Sequence, residues 1–223
     1  MPTTIAFDVY GTLIDTHGIV LELEKLVGEQ AQHFSQTWRD KQLEYSFRRG
    51  LMQNYVDFSV VTRQALDYAC LACQQGLTSA EREHLLEQYR TLPAFSDAKQ
   101  ALEQLKAQNH RLFAFSNGRG EAVTELLQAA GLDAYFQDII SVDELKSFKP
   151  NPAVYCHFLR RAQTNSETAW LVSSNPFDVL GAMSAGMRAA WVKRSGTAIF
   201  DPWGIEPNLT ISSLVELEQT LNA

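Results

Sequence analysis

The chain has 223 residues, 45% of them hydrophobic and 20% charged, which is ordinary globular usage and excludes a disordered or collagen-like protein. Its formal net charge of -7, from 19 Lys plus Arg against 26 Asp plus Glu, disfavours nucleic acid and anionic membrane surfaces as partners. No window reaches about 18 uncharged apolar residues, and Met1-Pro2-Thr3-Thr4 lacks the basic and apolar regions of a signal peptide, so the expectation is a cytoplasmic protein.

The first predicted element is a strand over residues 5–8, an apolar run closed by Asp8 and broken at once by the turn Tyr10-Gly11-Thr12. Asp avoids strand interiors, so Asp8 is either a turn former or a nucleophile presented at the edge of a sheet. Residues 19–32, 35–51, 58–75 and 79–90 then carry helical apolar spacing, with Gly50, Gly76 and Pro93 near the joins. Four further strands are predicted over 111–115, 138–141, 169–173 and 189–192. Amphipathic helices over 97–108, 120–130, 152–163 and 176–185 accompany them, and a closing helix runs over 212–221. Gly131 and Gly186 fall where helix C-caps belong.

Strand and helix alternating in this way predict right-handed βαβ units. The fold class is therefore α/β, a doubly wound Rossmann-like parallel sheet with a helical-bundle cap inserted after the first strand. The core takes residues 1–15 and 92–223, and the cap 16–91. Such a cap sits over the carboxyl end of the first strand, where open α/β sheets bind ligands.

Cys70, Cys73 and Cys156 make an odd count that argues against a disulfide framework. Cys70-Leu71-Ala72-Cys73 has the spacing of redox and metal sites, but it lies within a helical pattern with no second pair and reads as core filling. His17, His33, His84, His110 and His157 share no metal-ligand spacing, and no GxGxxG, GxSxG or Walker-type loop is present.

Chemistry gathers instead behind the strands. Asp8 follows the first, Ser116-Asn117-Gly118 the second, Lys149-Pro150 the third, and Ser173-Ser174-Asn175 with Asp178 the fourth. Parallel strands bring all of these to one rim, so the site should hold two carboxylates, one ammonium and several neutral donors.

In that order the four groups resemble the motifs of the haloacid dehalogenase superfamily, across nearly the whole chain. Within it, Trp38-Arg39-Asp40-Lys41-Gln42-Leu43-Glu44-Tyr45-Ser46-Phe47 resembles the arginine-bearing cap helix of the L-2-haloacid dehalogenases, and Phe148-Lys149-Pro150-Asn151-Pro152-Ala153-Val154-Tyr155 their third motif. The phosphatase branch has a second aspartate where this chain has Tyr10, because an alkoxide leaving group needs a proton and a halide does not. It also has metal-holding acids where this chain has Ser174 and Asn175, and Mg²⁺ depends on anionic oxygens. The resemblance thus implies carbon–halogen cleavage with no metal or other cofactor.

It further implies a role for each residue. Asp8 is the nucleophile, forming an aspartyl ester, and Thr12 bonds its carboxylate. Lys149 keeps Asp8 and Asp178 ionised, and Asp178 directs the hydrolytic water with Ser173 and Asn175. Arg39, Asn117 and Phe177 cradle the halide, and Ser116 grips the substrate carboxylate. Tyr10, Leu43 and Phe58 form an apolar wall, and Tyr155 bonds toward the same cleft. Read from the residues alone, Thr12 and Asp178 serve equally as turn or cap residues, Arg39 as one charge on a solvated face, and the aromatic residues as core packing.

Arg119 and Phe177 depart from the family, which often has a small residue at the first position and can have Trp at the second. The expected partners are a small 2-halocarboxylic acid and its halide, with no nucleic acid or membrane, in a homodimer. The alternatives are a Mg²⁺-dependent small-molecule phosphatase of the same superfamily and a binding protein on a retired hydrolase core.

Overall fold

Thr4–Asp8 forms β1, buried along its whole length, and its side chains alternate between two hydrophobic layers. Ile5 and Phe7 enter one layer with Leu102, Leu105 and Leu126, whereas Ala6 enters the other with Phe115, Val154 and Phe158. This computed structural model describes residues 2–221. Met1, Asn222 and Ala223 of the expected core lie outside them.

After β1 the chain forms α1 (Val20–Val27), α2 (Ala31–Leu51), α3 (Phe58–Ala72) and α4 (Ser79–Tyr89) before α5 (Ala98–Ala107) returns it to the sheet. Then follow β2 (Arg111–Ser116), α6 (Gly120–Ala129), β3 (Asp138–Ser141), α7 (Pro152–Arg161), β4 (Ala169–Ser173), α8 (Pro176–Ser184), β5 (Arg188–Val192), β6 (Leu209–Ile211) and α9 (Leu217–Thr220). The described residues form a six-stranded parallel sheet in the order β3-β2-β1-β4-β5-β6. The chain leaves β1 toward β2 on one side and later crosses to β4 on the other. The topological switch point, where such sheets bind ligands, is therefore the carboxyl end of β1. Asp8 stands there, level with Phe115 of β2.

Local chemistry sets the helix starts. Asp57 accepts from Ser59 N to begin α3, Thr78 and Glu81 form a capping box on α4, and Asn151 caps α7 ahead of Pro152. The indole of Trp38 is buried between helices and donates to Thr62 O at 2.9 Å, tying α2 to α3. Burying side chains of this size contributes roughly 1.5–3 kcal/mol each.

The differences from the sequence expectation are local. A 3₁₀ turn, Gly28–Gln30, runs directly into α2, so the second helix starts at Ala31. The closing helix shrinks to a 3₁₀ turn, Leu214–Glu216, followed by α9. β6 lies outside the expected strands, because three residues cannot display an alternating pattern. Cys70 and Cys73 are buried and free. Among the described residues no helix is long and apolar enough to cross a membrane.

Candidate active site

Asp8 is presented by a tight turn stitched to the neighbouring strand. Leu13 N and Ile14 N both return to Val9 O at 3.0 Å, and Gly11 takes a φ of +86°, a conformation that favours glycine. A Cβ at Gly11 would lie 3.4 Å from Ser174 Oγ. Ser174 closes the stitch, its Oγ donating to Gly11 O at 2.7 Å and its N–H to Thr12 Oγ1 at 2.8 Å. Thr12 Oγ1, with that lone pair filled, donates to Asp8 Oδ2 at 2.9 Å.

The two oxygens of Asp8 are treated differently. Oδ2 accepts from Thr12, from Ser173 Oγ at 3.2 Å and from Asn175 Nδ2 at 2.7 Å. Oδ1 faces Lys149 Nζ at 3.2 Å. The same ammonium donates to Asp178 Oδ2 at 2.8 Å and to Phe115 O at 2.8 Å, so each of its hydrogens has a partner. Lys149 is 1% exposed and Asp178 is 0%, and charges so deeply buried persist only when paired and hydrogen-bonded. Burial pushes the Lys149 ammonium down, but Asp178 and Asp8 outweigh it and hold its pKa above the ordinary value. Burial holds Asp178 above the ordinary carboxylate value; Lys149 opposes this and the charge of Asp8 adds to it.

Asp178 lies in the first turn of α8 but does not cap it, since Asn175 occupies the N-cap position. Tyr155 is wholly buried and donates from its hydroxyl to Asp178 Oδ1 at 2.8 Å. Burial first, then Asp178, raises the phenol well above its usual value and keeps it a donor. Tyr155 therefore lies behind Asp178, where the sequence reading had placed it among the substrate contacts. Asn117 Oδ1 accepts from Lys149 N at 2.9 Å and so positions the lysine loop, while Ser116 Oγ accepts from Gly118 N at 3.1 Å.

From the helical arm, Arg39 Nη2 reaches Tyr10 O at 3.3 Å and Asn175 Oδ1 at 3.5 Å. Tyr10 stacks on Tyr89 with ring centroids 5.8 Å apart and touches Phe58 at 5.9 Å. Two clefts flank this wall. One, of about 430 Å³, is lined by Tyr10, Phe58, Tyr89 and Arg119; the other, of about 370 Å³, by Gly11, Arg39, Leu43, Tyr89 and Asn175. Leu43 and Phe58 thus line separate clefts and not one wall. Phe177 lines neither and packs edge-on against Phe47 at 4.9 Å. Asp8 itself is only 7% exposed beneath them.

Ser174, Gln42 and Tyr89 join the site without a role expected from sequence. Ser174 sits inside a quoted motif, but Tyr89 reaches Tyr10 only through the packing of α4 and leaves no spacing signal. Among the described residues no group of three or more His, Cys, Asp or Glu is placed to hold a metal ion. An ammonium between Asp8 and Asp178, and an amide N–H aimed at Asp8, are a donor set that does not fit Mg²⁺. The arrangement suits attack by a paired carboxylate followed by base-assisted hydrolysis.

Comparison with known proteins agrees with this chemistry. A family model for haloacid dehalogenase-like hydrolases matches residues 2–186. Over 211 residues the chain is 38% identical to the haloacetate dehalogenase H-2 of Moraxella sp. (strain B), covering 93% of this chain and 92% of that one. Over 218 residues it is 35% identical to the (S)-2-haloacid dehalogenase 2 of Pseudomonas sp. (strain CBS-3), covering 98% and 95%. The solved structure of the L-2-haloacid dehalogenase from Xanthobacter autotrophicus with chloropropionic acid covalently bound matches at a TM-score of 0.92 and 29% identity, over 100% of this chain and 99% of that one.

Proposed function

Because this chain belongs to the haloacid dehalogenase-like hydrolase family, we propose that it converts small L-2-haloalkanoic acids and water into D-2-hydroxyalkanoic acids and halide. The unequal partnering of the Asp8 oxygens carries this assignment. Oδ1, held by Lys149 alone, is the nucleophile: its electron pair bonds to C2 of the substrate from behind as the carbon–halogen pair departs with the halide, inverting C2. Arg39, with Asn117, receives the halide, and Ser116 holds the substrate carboxylate. A halide needs no proton, which suits Tyr10 at this position. Its phenol is raised above the ordinary value, first by burial and then by Tyr89.

Oδ2 becomes the carbonyl oxygen of the ester. In the second step Asp178 takes a proton from water, the water oxygen adds to Cγ of Asp8, and negative charge collects on Oδ2. Thr12, Ser173 and Asn175 already aim three donors at that atom, an oxyanion hole assembled before it is needed. The Cγ–Oδ1 bond then breaks, and Oδ1 leaves as the product hydroxyl with the proton from Asp178. The second water proton, left on the new Asp8 oxygen, is released to solvent, and Asp8 is restored as a carboxylate with one oxygen taken from water. Haloacetate, which names the Moraxella relative, fits the same scheme because an unsubstituted C2 asks less of the Tyr10 and Phe58 wall.

On this basis residues 1–15 and 92–223 form the catalytic core and 16–91 a cap that supplies Arg39, in a cytoplasmic homodimer. A monomer in sedimentation would count against it. The chemical scheme is tested by a single turnover in ¹⁸O-water with enzyme in excess. Label is expected in Asp8 and not in the hydroxy acid. Label in the first-turnover product with none in Asp8 means direct attack by water and overturns the ester route.

A further inference from the structure

Gln42 takes no part in the steps above, yet it is 1% exposed and lies on α2 less than one turn beyond Arg39. A buried amide must satisfy both of its ends, and here its orientation is dictated from outside. Thr62 Oγ1 donates to Phe58 O at 2.8 Å, which leaves only lone pairs for a neighbour, and Gln42 Nε2 donates to one of them at 2.6 Å. The carbonyl end of Gln42 therefore faces the other way. There its Oε1 accepts from Arg39 Nη1 at 2.6 Å and from the Tyr89 hydroxyl at 3.3 Å.

Those two contacts reach both sides of the site. The other arm of the Arg39 guanidinium, Nη2, is the one that meets Tyr10 O and Asn175. The ring of Tyr89 stacks on Tyr10, the substrate wall. A single amide oxygen thus anchors a half-buried, flexible cation and an aromatic wall together, and the planar guanidinium cannot turn about one arm without moving the other.

We propose that Gln42 is a positioning residue for dehalogenation, holding the Arg39 guanidinium where charge collects on the departing halide, with Thr62 fixing which end of the amide Arg39 meets. This rests on the assignment of Arg39 to the halide. Weaker placement of the cation penalises a poorer leaving group more than a better one, because stabilisation realised only in the transition state is what is lost. A purely structural loss lowers both alike.

The test is the single-turnover rate of halide release from L-2-chloropropionate and L-2-bromopropionate in the full-length enzyme, with Q42M, Q42E, T62V and R39K. Q42M keeps length and burial and removes the acceptor. Its chloride release is expected to fall about tenfold or more, and bromide release by less, so that the bromide-to-chloride ratio rises about threefold with KM little changed. T62V shifts the ratio the same way by less, whereas Q42E keeps the acceptor and the ratio of the unaltered enzyme. If R39K raises the ratio while Q42M and T62V leave it unchanged, the role of Gln42 is overturned and the halide assignment stands. If R39K leaves the ratio unchanged, the halide assignment falls and takes the role of Gln42 with it. Should Q42M fail to fold, T62V decides, since it exchanges one hydroxyl for a methyl of similar size.

Discussion

Tyr155 is wholly buried and donates its hydroxyl to Asp178, the base of the proposed scheme. Its donor stabilises the ionised form of Asp178 against burial, which is the largest influence raising that carboxyl. Tyr155→Phe removes the donor, so the pKa of Asp178 rises further and the base is protonated over more of the acid range. The expected result is an acid limb of kcat displaced to higher pH, with kcat about tenfold lower near neutrality, as read from a pH–rate profile. A profile that only drops in height would mean that Tyr155 merely packs. At this scale the sequence was informative wherever a residue stood at a fixed offset behind a strand: Asp8, Thr12, Ser173, Asn175, Asp178 and Lys149 all come together as the pattern implies. Tyr89 and the Phe115 carbonyl were not legible. The first arrives by the packing of distant helices, and the second is a backbone atom that any residue type could supply.

Helices α7 and α8 meet at a single position without a side chain. A Cβ at Gly181 would collide with the Tyr155 hydroxyl and lie 2.7 Å from Tyr155 Cζ and 2.8 Å from Pro150 Cβ. Gly181 is one turn beyond Asp178, so the same close approach that packs the two helices lets the phenol reach the carboxylate. Gly181→Ala should overpack the contact by about 1–3 kcal/mol and lower Tm by several degrees. It should also displace the acid limb of kcat in the same direction as Tyr155→Phe, and a loss of Tm with an unmoved profile would separate packing from positioning. Short apolar runs rich in β-branched and aromatic residues place β1 through β5 to within a residue, since most of these strands are buried on both faces. Such patterns do not reach β6 or the shortened α9, which are held by tertiary contacts.

Across the whole molecule, Asp97 fastens the last segment of the chain to the catalytic turn. Its Oδ2 accepts from Arg194 Nη1 at 2.7 Å, Ser213 Oγ at 3.0 Å and Leu214 N at 2.8 Å, and Arg194 Nη2 donates to Thr12 O at 2.5 Å. Burial opposes the charge of Asp97, but Arg194 and the Leu214 N–H prevail and hold its pKa below the ordinary 3.8. A depressed carboxyl contributes stability that is present above the unfolded pKa and lost as pH falls through the folded one. Asp97→Asn should therefore cost about 2–3 kcal/mol at pH 7 and flatten the acid end of the stability curve, as measured by urea midpoints from neutral pH downward. An unchanged acid slope would place the loss elsewhere. Strand–helix alternation foretells a parallel sheet and a switch point at the first strand. It does not foretell that residues beyond 190 brace that strand's turn.

The centre's one ammonium, shared between two carboxylates, also keeps time. As long as Asp8 carries charge, it pushes the pKa of Asp178 upward and takes part of the attraction of Lys149. Alkylation of Asp8 abolishes that charge at the moment the halide is made. In the proposed scheme Lys149 is then left with Asp178 as its sole anionic partner, and the upward push of Asp8 on that carboxyl is lifted just when water requires a base. Under that scheme completion of the first reaction prepares the second, a sequence set by electrostatics.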